Sequence, residues 1–78
     1  MKSLIRAYVM QRVQYYSESG ERMALISAMH PRYAANAAEK MLREADRWAK
    51  DAGQDTDRPM LWLIGTPLFG ALSARAGY

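Results

Sequence analysis

The sequence predicts an α+β domain: an antiparallel four-stranded sheet with one helix packed on one face, in the order ββαββ. Three observations predict it. The stretch 31–52 carries the one clean helical period. The runs on either side are rich in Val, Ile, Leu and Tyr and are apolar on more than one face, as strands with company on both sides are. Glycine-, serine- or proline-bearing segments separate those runs. The 78 residues make one domain, 1–78. A domain of this size buries only about 60–65% of its unfolded surface, so its stability margin is thin.

The first strand spans 3–16. At period two, Ile5, Ala7, Val9, Gln11, Val13 and Tyr15 face a core, and Leu4, Arg6, Tyr8, Met10, Arg12, Gln14 and Tyr16 face away. A helical reading also fits Ile5, Tyr8, Val9, Val13 and Tyr16. Strand is preferred, because β-branched and aromatic residues dominate and a turn, Ser17–Glu21, follows with Gly20 in it. The second strand spans 22–29, with Ala24, Ile26 and Ala28 on one face and Met23, Leu25 and Met29 on the other.

His30-Pro31 opens the helix, since Pro suits the first helical position and pushes the residue before it out of the α region. Ala34, Ala37, Ala38, Met41, Leu42, Ala45, Trp48, Ala49 and Ala52 form its apolar seam; Glu39, Lys40, Arg43, Glu44, Arg47, Lys50 and Asp51 lie opposite. Gly53 supplies a left-handed stop. The polar loop 54–58 leads to strands 60–64 and 68–74, joined by a turn at Gly65-Thr66-Pro67, with Gly70 marking a bulge or a close backbone approach. Residues 76–78 read as a loose tail.

Composition excludes several classes. The chain has no cysteine and one histidine, which rules out disulfides and a structural zinc site. The absence of cysteine fits a reducing bacterial cytoplasm. Arginine and lysine interrupt residues 1–16, so no secretory signal is expected. The longest uncharged run, 59–74, is too short for a spanning helix and is broken by Gly65, Pro67 and Gly70, so no membrane span is expected. His30 reads as a cap or turn residue rather than a base. Asp51, Asp55 and Asp57 lack the order of a calcium loop, and 65–70 lacks the Lys-Ser/Thr of a phosphate loop. No metal, cofactor or catalytic set is expected, and the chain is read as a non-enzyme.

The formal charge is +3, and Lys2, Arg6 and Arg12 carry it on the first strand, because the eight basic and eight acidic side chains beyond residue 17 cancel. The expected working surface is therefore the outer face of that strand: Arg6, Tyr8, Met10, Arg12 and Tyr16. Tyr, Arg and Met are enriched in protein-binding hot spots. The same residues could stack bases and meet phosphates, which leaves nucleic acid as the alternative partner. A plain solvent face on an edge strand is the third reading. The apolar surplus of the other strands adds a patch for a partner, or for a homodimer through the open sheet face.

In size and layout the chain resembles the small anti-CRISPR proteins carried by phages and mobile elements. The shared features are the Tyr- and Val-bearing first strand, the Glu18-Ser19-Gly20-Glu21 turn, the alanine-seamed helix with Ala37, Ala38 and Ala45, and an apolar hairpin around Gly65-Thr66-Pro67. The resemblance implies a stoichiometric inhibitor that binds a CRISPR effector complex, a large ribonucleoprotein, and blocks target DNA engagement. The chain's basic charge counts against the acidic DNA mimicry common in that group.

Overall fold

Lys2–Val9 folds as a helix, α1, and not as the start of a strand. The computed structural model describes residues 2–16 and 23–77. Ile5, Tyr8 and Val9 stand at i, i+3 and i+4, so a helix gathers them on one side. Val9 is fully buried there, while Arg6, Ala7 and Met10 face solvent. The helical alternative was thus the right one for the first half of this segment.

Gln11 ends α1. Its side-chain amide donates to the carbonyls of Tyr8 (3.1 Å) and Gln14 (2.7 Å), and its oxygen accepts from the backbone N–H of Val13 and of Gln14, both at 2.9 Å. These are groups that neither a helix nor a sheet serves at this junction. A short strand follows, β1 (Gln14–Tyr16), paired antiparallel with β2 (Met23–Leu25) in the register Gln14–Leu25, Tyr15–Ala24 and Tyr16–Met23. The turn expected at Ser17–Glu21 lies outside the described residues.

The expected four-stranded sheet is overturned. The sheet has two strands, and five α-helices make the rest of the described fold. The expected strand 22–29 stops at Leu25; Ile26–Ala28 is a 3₁₀ turn that buries Ile26 and leads to buried Met29. The expected helix 31–52 is present as α2 (Pro31–Arg43) and α3 (Ala45–Asp51), interrupted at Glu44. His30 caps it, with Nδ1 accepting from the Arg32 N–H at 3.0 Å. Most of the seam is as expected: Ala34, Ala37, Ala38, Met41, Ala45, Ala49 and Ala52 are buried, while Leu42 and Trp48 are partly buried. Gly53, at φ 73°, turns the chain away.

The expected strands 60–64 and 68–74 are helices, α4 (Pro59–Ile64) and α5 (Pro67–Ala76). Pro opens both, as it opens α2, because its missing N–H is one that a helix start leaves unbonded anyway. Thr66 is buried between them, donating to the Leu63 carbonyl (2.7 Å) and accepting from the Phe69 N–H (3.4 Å) as the cap of α5. Gly70 marks no bulge; it lies on α5 with nothing close to where a Cβ would stand.

Helix α2 packs most extensively on α5, and α3 on α4. The alanine seam lets the axes come close, and Val9, Met41, Leu63, Leu68 and Leu72 fill the centre. Arg75 Nε donates to the Met29 carbonyl and fastens the end of α5 to the 3₁₀ turn. No helix among the described residues is long and apolar enough to cross a membrane.

Candidate functional site

The helical start of the chain splits the expected strip. Arg6, on the exposed side of α1, and Met10, exposed just past its end, are four residues apart, whereas Tyr8 points inward with Ile5 and Val9. Arg12 is exposed in the bend before β1. Of the five expected site residues, the fold brings Tyr8 and Tyr16 together. Their rings meet edge to face at 5.8 Å, and the Tyr16 N–H donates to the Tyr8 hydroxyl at 3.0 Å. Two expected core residues of the same segment, Ala7 and Val13, are exposed instead.

Tyr8 is the hinge of a concave site. On its other side it meets Trp48 of α3, with ring centroids 6.0 Å apart. Between α1, the hairpin and the α2–α3 junction lies a groove of about 340 Å³, whose walls are Ile5, Tyr8, Tyr15, Tyr16, Met41 and Trp48. Lys40, Glu44 and Arg47 stand on its polar side. Glu44 interrupts the helix there and pairs with Arg47 at 3.1 Å. Such a solvated i,i+3 pair is worth about 0.2–0.5 kcal/mol, so it orients the two groups more than it stabilises the fold.

Two polar groups in the walls are held away from water. Burial, opposed by the hydrogen bond from Tyr16, pushes the Tyr8 phenol up to about 12, so it stays neutral at physiological pH. The Trp48 indole N–H is shielded from solvent with no acceptor among the described residues. An unpaired buried donor costs about 1–3 kcal/mol. Such groups are rare in folded proteins and concentrate where structure serves something other than stability.

No protein-family model, curated protein or solved structure matches this chain.

Lys40, Glu44, Arg47 and Trp48 were missed as site residues. They sit on or beside the charged face of the long helix, which reads as a solvated surface until α1 and the hairpin are laid across it. Trp48 was the available signal, as the one aromatic in an alanine seam. Among the described residues, no three of His, Asp or Glu converge as a metal site would require.

Proposed function

We propose that the chain is a stoichiometric binding protein that seats a segment of a larger protein or ribonucleoprotein in the groove between α1, the hairpin and α3. The carrying observation is the groove itself: three tyrosines and a tryptophan around about 340 Å³, with Lys40 and Arg47 alongside. Tyrosine, tryptophan and arginine are the residues that dominate binding hot spots, and a concave aromatic site can desolvate an anchor side chain fully. Lys40 and Arg47, with Arg6 and Arg12 exposed nearby in the chain, favour an acidic segment. Tyr16, 46% exposed, is the contact a partner meets first.

Inhibition of a CRISPR effector complex is the most concrete form of this reading. The element order behind that resemblance is not that of the folded chain, so this form now rests on size and the groove. Action in the bacterial cytoplasm belongs to the same proposal, supported by the cysteine-free composition. Direct nucleic-acid binding is the second reading, favoured by two cations beside stacking aromatics.

The test compares wild type with Tyr16→Ala and Arg47→Ala as baits in bacterial extract, with and without nuclease treatment. The expected result is a protein retained by wild type and lost from both variants, since a true anchor is worth about 2 kcal/mol or more. Equal retention by all three baits would move the site elsewhere. Loss of capture on nuclease treatment, with affinity falling steeply as salt rises, would decide for nucleic acid.

A further inference from the structure

The hairpin has two outer edges, and they differ. The Ile26 N–H donates to the Val13 carbonyl at 2.9 Å, and Tyr15 stands opposite Ala24. Backbone groups alternate in direction along an antiparallel ladder. Ala24 and the Ile26 N–H therefore point toward β1, while Met23 and Leu25 on β2, and Gln14 and Tyr16 on β1, turn theirs outward.

On the β1 side the outward groups are taken. Gln11 bonds both the N–H and the carbonyl of Gln14, and the Tyr8 hydroxyl accepts from the Tyr16 N–H. On the β2 side the Leu25 carbonyl opens the 3₁₀ turn. The Met23 N–H, the Met23 carbonyl and the Leu25 N–H have no partner among the described residues. Met23 and Leu25 are half-exposed, and β2 carries no charge or proline to guard the edge.

A cavity of about 340 Å³ lies beside that edge. Met23 and Ala24 line it from the strand, and Met29, His30 and Tyr33 from the turn into α2. No β1 residue lines it, so it lies beyond β2 on the side away from β1.

We propose that the open edge of β2 takes an added strand, an extended segment of a partner protein that carries a large apolar side chain. In antiparallel addition one partner residue exchanges both bonds with Met23, and the carbonyl two residues before it accepts from the Leu25 N–H. The residue between them stands opposite Ala24. Its side chain falls on the Ala24 face and enters the cavity, which leucine, methionine or phenylalanine would fill. The added strand also gives the two-stranded hairpin the third strand that a sheet needs to stand on its own. A second copy of this chain, paired about Ala24, would bring only another alanine to the cavity. A nucleic-acid backbone has phosphate oxygens that accept and do not donate, so it would leave the Met23 carbonyl unmet. The aromatic groove is walled by β1, so the two surfaces are independent.

A phage-displayed library of random heptapeptides, selected on wild type, tests the proposal. The selected peptides should share one large apolar residue. In synthetic form they should shift the amide NMR signals of Met23, Ala24, Leu25 and Tyr33 and slow hydrogen exchange at Met23 and Leu25. Leu25 has φ −75°, which proline adopts, and its N–H makes no bond within the described chain. Leu25→Pro should therefore keep the helical circular dichroism and weaken the peptides about tenfold or more. Methylating the peptide nitrogen that faces Met23 should weaken binding as much, and it tests the edge without touching the protein. Tyr16→Ala, in the groove, should bind the peptides as wild type does. No sequence enriched over a Leu25→Pro control, full binding by the N-methylated peptide, or shifts confined to Tyr8, Tyr16 and Trp48 would each overturn the proposal. So would a wild type that dimerises in sedimentation velocity beside a monomeric Leu25→Pro, which would give the edge to a second copy.

Discussion

The two ends of this molecule are held by different forces. Beyond the buried Val9, residues 2–16 and β2 depend on hydrogen bonds and aromatic edges: the Gln11 amide, the Tyr8 hydroxyl on Tyr16, and the Tyr15–Tyr33 ring contact at 6.2 Å. Helices α2 to α5 depend on shape, with alanines letting backbones approach and Met41, Leu63, Leu68 and Leu72 filling the space. Polar links are directional and sensitive to atom identity; packing is sensitive to volume. The difference explains where the groove lies. It opens at the seam of the two regions, where the tyrosines of the first cover the charged helix of the second.

The comparison can be broken most severely in the packed region. Leu63→Ala should cost about 2–5 kcal/mol in chemical denaturation, the usual range for emptying a buried leucine site. Leu61→Ala, two residues away on the exposed side of the same helix, should stay within about 0.5 kcal/mol in dilute protein. Equal losses would mean that Leu61 is packed as tightly as Leu63, since alanine is the better helix former and neither change costs propensity.

Next in size is the polar region. Gln11→Leu keeps most of the bulk and removes the hydrogen bonds that the Gln11 side chain makes at the helix-to-strand junction. It should lower stability by about 1–3 kcal/mol, and amide exchange should accelerate at Val13 and Gln14 more than in α5.

The pH response sharpens the contrast. The Tyr8 phenol lies at about 12 when folded, against 10.0 ordinarily. A group raised in this way contributes fully below the unfolded value, and its contribution is lost as pH rises from 10 to 12. Unfolding free energy should therefore fall across that window, and Tyr8→Phe should flatten the fall. An identical slope in the variant would assign the alkaline loss to other groups. The smallest effect belongs to the packed region again. Gly70→Ala, on an open part of α5, should raise stability by up to about 1 kcal/mol, seen as a higher thermal midpoint.

Much of the second region could be read from residues alone. The alanine seam repeats at helical spacing through Ala52, and His30-Pro31 marks its start by the same chemistry the fold uses. Helices α4 and α5 were misread because apolar residues fall on all their faces, which period alone cannot separate from a doubly covered strand. The decisive signs were Pro59 and Pro67, each at a first helical position, and Thr66 just before the second. In the first region the residue types misled and the helical spacing was right: the β-branched and aromatic residues Ile5, Tyr8 and Val9 read as strand, yet they gather on the inward side of α1. The groove's aromatic half was visible as Tyr8 and Tyr16. Its other half comes from residues 40–48, and no local pattern records that a distant segment will fold across them.

The Gln11 amide has one more consequence. Its two N–H groups meet carbonyls and its oxygen meets N–H groups, so the junction reads the side chain end by end. Glutamate has nearly the same outline, yet it would turn a negative oxygen toward the Tyr8 and Gln14 carbonyls. A loss of ammonia from this one side chain, with no change of shape, would therefore set charge against dipole where the helix hands over to the strand. Position 11 makes the chain vulnerable to chemical ageing at a single atom.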